Sequence, residues 1–289
     1  MKGIIIAAGY GTRFLPCTKT VPKEMFPLID KPAIEFIIDE FISSGIKEIL
    51  IVTSRRKKVL DDYFDREVEL EGVLQSSGKK EQLEILSKYN DMNIYFLRQK
   101  EMKGTGHAIL SCKDFIGNSP FVVAYPDDLV FSDIPLSKQL IDTYNRTGDS
   151  ILSVQRISGD VSRYGVIDPV DKNVSFTKVR KLIEKPTAGT EPSKLISVGR
   201  YLFTPELLSL LENNFKNHLK GEFYHVDSIN ELASKGKVSA IEFEGERIDV
   251  GDKSGYLEGI IRYSLMRDDL KEDSIKLINK LYKEINGEK

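Results

Sequence analysis

The sequence predicts an α/β protein: a Rossmann-like, mixed but mainly parallel sheet flanked by helices, with a small β-rich subdomain and a helical C-terminal tail. Three observations carry this. Ile4-Ile5-Ile6-Ala7-Ala8 is a short continuous apolar run ended by Gly9, the pattern of a strand buried on both faces. Ile34, Ile37, Ile38, Phe41 and Ile42 then recur at helical spacing up to Gly45, where a glycine stops a helix. A second apolar run, Ile46 to Thr53, follows, so the chain begins strand–loop–helix–strand, a βαβ unit with parallel strands.

A chain of 289 residues buries a large core as one large domain or two smaller ones. With 40% hydrophobic and 30% charged residues it is ordinary for a soluble globular protein. Its net charge of -2 gives no global field for nucleic acid, so an anion site must be built locally. Cys17 and Cys112 make no disulfide framework, which fits a reducing cytoplasm. The first apolar run starts three residues from the N-terminus, so no signal peptide is expected, and no apolar run approaches the ~20 residues that span a bilayer.

After the first strand comes Gly9-Tyr10-Gly11-Thr12-Arg13. Glycines let backbone N–H groups approach an anion, and a hydroxyl and a guanidinium follow at once, a phosphate cradle with a bidentate clamp. Lys23 follows in Pro22-Lys23-Glu24-Met25, and Pro16, Pro22 and Pro27 stiffen the loop. A dinucleotide fingerprint would need glycine where Phe14 stands, and the chain has no P-loop. A tight turn with a solvated arginine competes with the phosphate reading. The spaced Arg13, Lys23 and prolines favour binding of a polyphosphate.

The runs GYGTRFLP, PKEM and DKP resemble the bacterial UTP–glucose-1-phosphate uridylyltransferases, within the sugar-phosphate nucleotidylyltransferases, and the likeness extends to about Tyr263. The resemblance implies Arg13, Lys23 and Asp127 as catalytic residues. It implies a nucleotide site at Ala7, Ala8, Gly9, Gly11, Thr12, Gln99 and Gly104, with the segment from Gln99 to Ala108 reading the uracil. It implies a sugar-phosphate site at Gly165, Glu184, Lys185 and Gly199, and Mg²⁺ held by Asp127 and Asp249. The implied substrates are UTP and glucose-1-phosphate, and the implied assembly is a homo-oligomer, dimer or tetramer, without nucleic-acid or membrane partners. The expected domain spans 1–253, divided into a nucleotide half (1–157) and a sugar half (158–253), with a helical segment at 254–289.

Along the chain, Arg55-Arg56-Lys57-Lys58 reads as a solvated helix start, and 60–90 as polar helices resembling the uridylyltransferase insert. Asn93 to Leu97 reads as a strand, and His107 as a structural hydrogen-bonder. Phe121 to Ala124 is a buried strand with Asp127 and Asp128 at its C-terminal end, the edge where open α/β sheets bind ligands and where carboxylates suit Mg²⁺. One of the two is expected to cap the next turn. Adjacent Glu184 and Lys185 meet one ligand only if their strand ends or kinks before Pro186. Val238 to Phe243 reads as an edge strand. Ile275, Ile278, Tyr282 and Ile285 form a C-terminal apolar stripe for the core or a second subunit.

The family pattern near G-E-I-Q-L-T-D-A-I reads here Gly221-Glu222-Phe223-Tyr224-His225-Val226-Asp227-Ser228-Ile229, and Ile248 stands where the family has His. Three readings therefore stay open: an enzyme making UDP-glucose, one using another nucleotide or sugar such as dTTP or galactose-1-phosphate, and a catalytically silent regulatory paralogue.

Overall fold

The computed structural model describes residues 1–172 and 174–287. Its strands are β1 (Lys2–Ile6), the short pair β2 (Pro27–Leu28) and β3 (Lys31–Pro32), β4 (Glu48–Thr53), β5 (Asn93–Arg98), β6 (Phe121–Ala124), β7 (Asp128–Phe131), β8 (Ser150–Arg156), β9 (Gly165–Pro169), β10 (Phe176–Glu184), β11 (Leu195–Phe203), β12 (Val238–Glu242) and β13 (Glu246–Asp249). Among the described residues one nine-stranded sheet runs β5-β4-β1-β6-β11-β8-β12-β10-β9. Its first four strands are parallel, and β11 enters antiparallel to both β6 and β8.

β1 shows why the opening run is apolar throughout. Ile4, Ile6 and Ala8 belong to one core cluster and Ile5 and Ala7 to the other, so alternate residues fill opposite faces. The helix Ala33–Ser43 covers the second face with Ile34, Ile37, Ile38 and Phe41, and the helix Glu206–Lys216 covers the first with Leu207, Leu208 and Leu211.

Three expectations are corrected and a fourth, for the C-terminal stripe, is narrowed. The segment read as an edge strand, Val238 to Phe243, is β12 inside the sheet, parallel to β8 and antiparallel to β10. Periodicity tells which face a side chain takes, not which strand lies beside it. The β-rich half is continuous with the main sheet, because β9 and β10 extend it past β12. Of the basic run 55–58, Lys57 is buried. The C-terminal stripe leaves the core: Ile275, Ile278, Tyr282 and Ile285 on the helix Lys271–Asn286 are all exposed.

Two irregularities position the site. Pairing of β11 with β8 shifts register between Ser197 and Tyr201, and this irregularity brings Gly199 against the loop after β6. β7 and β13 form a separate antiparallel ribbon with Asp128 opposite Asp249.

Candidate active site

One wall of the site is built at the end of β1. Ala7 continues the sheet by donating its N–H to Val52 O at 2.9 Å. The chain then turns through Gly11 at φ 67°, a left-handed conformation that suits glycine, and Thr18 Oγ1 donates to Gly11 O at 2.8 Å. Buried Lys57 ties this turn to the Pro22–Met25 segment. Its Nζ donates to Ala7 O and to both Glu24 oxygens at 2.8 and 2.7 Å. Burial pulls the Lys57 ammonium below its usual range against the opposing pull of Glu24. Arg13 Nη1 donates to Gly251 O at 3.4 Å, joining the loop to the far side of the site.

A cavity of about 440 Å³ opens here, lined among others by Ala8, Gly9, Lys23, Gln99, Gly104 and Asp127. Gln99 is buried, and its amide nitrogen donates to Gly104 O at 3.3 Å and meets His107 Nδ1 at 3.0 Å. Burial and Lys103 hold the His107 imidazole below its usual pKa, so the neutral ring accepts from Gln99. This is the structural role expected of His107. It also spends the Gln99 donor and leaves the Oε1 acceptor as the remaining polar atom of the amide. Gly104, at φ 97°, does not simply make room for a base: a Cβ there would lie 2.5 Å from Phe223 O. The loop is laced to that segment, with Phe223 N–H donating to Lys103 O at 2.7 Å and Gly106 N–H to Phe223 O at 2.9 Å.

The second cavity, about 570 Å³, is lined by Arg13, Asp127, Gly165, Glu184, Gly199 and Asp249, with Tyr164, Tyr224, His225 and Arg247 among the rest. The two cavities share a wall of Thr105, Tyr125 and Asp127. Asp127, in this shared wall, and Asp249, in the wall of the larger cavity, both approach Gly251: a Cβ there would lie 2.6 Å from Asp127 Oδ2 and 2.9 Å from Asp249 Oδ1. The Asp127 backbone carbonyl accepts from Val250 N–H at 2.8 Å, and Asp249 Oδ1 from Gly251 N–H at 2.9 Å, so backbone contacts hold both residues.

Lys23 forms an ion pair with Asp127. Burial opposes charge on both partners, yet their mutual attraction wins, raising the Lys23 pKa and lowering that of Asp127. Asp249 goes the other way: burial, then Asp128, push its carboxyl up, with Asp127 adding to them, against the pull of Arg247. The cavity wall carries five carboxylates (Asp127, Asp128, Glu184, Asp249, Asp252) against three guanidinium groups (Arg13, Arg163, Arg247). A hard divalent cation fits this donor set, since it would offset the repulsion at Asp249. Among the described residues no group of three or more His, Cys, Asp or Glu forms a metal cage. A pair of carboxylates completed by phosphates is the usual arrangement for Mg²⁺.

Other site residues fall as follows. Ala7 points into the opposite core cluster, and Ala7, Gly11, Thr12 and Lys185 lie outside the walls of both cavities. β10 ends at Glu184 and Lys185 takes a left-handed φ of 47°, the kink needed for adjacent residues to face one ligand. The Lys185 side chain is exposed and its Nζ lies 4.0 Å from Glu184 Oε1. Asp128 caps no turn with its side chain; it accepts from Gly199 N–H at 2.7 Å and from Arg247 Nε. Sequence reasoning missed Arg247, Arg200 and the Lys57–Glu24 pair. The only available signal for the last was a Lys/Glu pairing across 33 positions.

The nucleotidyl transferase family model matches residues 2–264. The chain is 46% identical over 282 residues to a UTP–glucose-1-phosphate uridylyltransferase of Staphylococcus epidermidis, covering 97% of this chain and 98% of the relative. It is similar to a UTP-bound UGPase from Acinetobacter baumannii, with a TM-score of 0.89, 32% identity and coverage of 97% and 99% of the two chains. It is also similar to a UDP-glucose pyrophosphorylase complexed with UDP-glucose, with a TM-score of 0.80, 36% identity and coverage of 92% and 99%. The family model covers residues 2–264 and the likeness to the uridylyltransferases runs the length of the chain: the chain belongs to the UTP–glucose-1-phosphate uridylyltransferase family of nucleotidyl transferases.

Proposed function

We propose that this protein transfers the uridylyl group of UTP to glucose-1-phosphate, giving UDP-glucose and pyrophosphate. The observation that carries the reading is the convergence of Asp127, in the wall shared by the two cavities, and Asp249, in the wall of the larger one, on the Gly251 position. Each cavity then takes one substrate, with residues 1–157 serving mainly the nucleotide and 158–253 the sugar. The relatives' named reaction and the UDP-glucose complex of a similar protein support it.

An oxygen of the sugar phosphate attacks the α-phosphorus of UTP, the bond to the β-phosphate breaks, and pyrophosphate leaves. A phosphate monoester is already a nucleophile, so no general base is needed. The obstacle is bringing two polyanions within about 3–3.5 Å. Gln99 Oε1 accepts the uracil imide N–H. The Gly9–Thr12 loop cradles the phosphates, with Gly9 in the wall of the nucleotide cavity, and Arg13, from the wall of the sugar-side cavity, reaches across to the β- and γ-phosphates. Lys23, already at Asp127, neutralises the reacting oxygens. Glu184 accepts from sugar hydroxyls, Gly165 and Gly199 line the cavity beside it, the bare Gly199 making room for the Asp128 side chain, and Lys185 swings from the rim onto the sugar phosphate. Asp127 and Asp249 would hold Mg²⁺, which when bound supplies charge neutralisation and in-line orientation.

Among the described residues no helix is long and apolar enough to cross a membrane, and both cysteines are unpaired, which supports a reducing cytoplasm. The exposed stripe on Lys271–Asn286 supports a homo-oligomer. The test is to incubate the purified protein with UTP, Mg²⁺ and a panel of sugar-1-phosphates and to measure pyrophosphate. Release with glucose-1-phosphate, abolished by chelation and restored by Mg²⁺, is expected. Release only with dTTP or with another sugar phosphate would overturn the substrate assignment, and no release with any pair would overturn the enzymatic one.

A further inference from the structure

Two arginines near the centre are held in contrasting ways. Arg200 is fully buried and makes a bidentate pair with Glu40, with Nε and Nη2 each at 2.9 Å, while Nη2 also donates to Asp128 O at 3.2 Å. Its guanidinium is spent on protein partners, as a purely structural cation requires. Arg247 lines the sugar-side cavity. Its Nε donates to Asp128 Oδ1, and its guanidinium carbon lies 5.7 Å from the centre of the Tyr164 ring. Its Nη2 lies 3.6 Å from Asp249 Oδ2, beyond hydrogen-bond length, and Nη1 takes part in neither ion pair.

We propose that Arg247 is a phosphate-contacting residue for the sugar-1-phosphate, aimed by Asp128 and Tyr164 as positioning residues. Asp128 has both oxygens occupied, one by Arg247 and one by Gly199 N–H, so it is fixed and fixes its partner. A guanidinium pinned through Nε, with Nη1 in neither ion pair and Nη2 beyond hydrogen-bond length of Asp249, presents the planar fork that recognises phosphate oxygens. It stands beside Asp249, where the incoming phosphate must arrive in a wall with more carboxylates than cations. Lys185, on the exposed rim, suits capture of the same phosphate on entry, and Arg247 its final placement. Asp128, opposite Asp249 in the β7–β13 ribbon, thereby acts as the holder of a cation rather than as a further metal ligand.

The inference rests on the proposed transfer reaction, and the test separates the two. Steady-state constants for UTP and glucose-1-phosphate are measured for the wild type, Arg247→Gln, Arg247→Lys, Asp128→Asn and Tyr164→Leu, with folding checked by circular dichroism. Arg247→Gln should raise KM for glucose-1-phosphate by about tenfold to a hundredfold, on the scale of a charged hydrogen bond, leaving KM for UTP within about twofold. Lysine should recover part of the loss, and Asp128→Asn and Tyr164→Leu should shift the same constant less. Equal changes in both constants, or lower thermal stability with unchanged constants, would overturn the proposal. If Arg247→Gln does not fold, the Tyr164→Leu split decides. If the wild type releases no pyrophosphate, the transfer reading fails by itself. Calorimetric binding of glucose-1-phosphate to wild type and Arg247→Lys then decides for Arg247, with weaker binding by the variant supporting it and equal binding refuting it.

Discussion

The two sides of the site are assembled differently. The nucleotide side is mostly one continuous stretch: the end of β1, the Gly9–Arg13 turn and Lys23 lie within the first 25 residues, and a single buried lysine braces them. The sugar side is gathered from Tyr164, Glu184, Gly199, the 224–226 segment and Arg247, and its ties cross the chain, Asp128 to Arg247 spanning 119 positions. A site built locally announces itself as a motif, because neighbours in sequence are neighbours in space. A site built by strand register does not.

Four substitutions probe that contrast, the largest effects first. Lys57→Ala strands Glu24 in the core, and breaking a buried pair from one side costs about 3–5 kcal/mol. The account expects a fall in melting temperature together with a raised KM for UTP and little change for the sugar phosphate. Arg200→Ala removes the cation facing Glu40, which keeps its contacts from Ser137, so the loss should be smaller than at Lys57, but through Gly199 and Asp128 it should raise KM for the sugar phosphate instead. If both variants affect both substrates alike, the division into two separately braced sides is wrong.

His225 sharpens the picture on the sugar side. It is buried, its Nδ1 lies 3.0 Å from Thr105 Oγ1, and burial pushes its pKa down to about 4. Above about pH 6.5 the ring is neutral folded and unfolded, and makes no pH-dependent contribution. Below that the unfolded state takes a proton the folded state refuses until about pH 4, so stability falls with pH across this window. Denaturant titrations at pH 7.5 and pH 5 should show wild type losing about 2 kcal/mol more than His225→Leu; equal losses would mean the ring is protonated in the fold. The smallest effect is expected for Gln99→Ala, where loss of one base contact should raise KM for UTP about fivefold, on the scale of a neutral hydrogen bond near 1 kcal/mol. An unchanged KM would place the uracil elsewhere.

What the sequence revealed follows the same division. The β1–loop–helix unit was legible because burial on both faces forces an unbroken apolar run in β1, and a helix covering one face of the sheet forces the spacing Ile34, Ile37, Ile38, Phe41. Asp127 and Asp249 were named through family likeness, and the fold brings both carboxylates beside Gly251, Asp127 from the loop after β6 and Asp249 from the end of β13. Lys57 was hidden in a run of four basic residues, since a charge run does not say which member turns inward to meet Glu24. β12 was misplaced at the edge because alternation fixes facing and not lateral order. Asp128 and Arg247 were illegible as a pair because their contact depends on the register of β7 against β13.

The central claim is that Asp127 and Asp249 act on one bound cation as a unit. It is tested most directly by kcat/KM for pyrophosphate release in wild type, Asp127→Ala, Asp249→Ala and the double variant, at saturating Mg²⁺. Groups that act together are not additive. Each single substitution should cost at least about a hundredfold, on the scale of one charge-stabilising contact in the transition state, and the double variant should lie within about threefold of the worse single. Losses that multiply, or an Asp249→Ala enzyme with near-normal kcat/KM, would contradict the account.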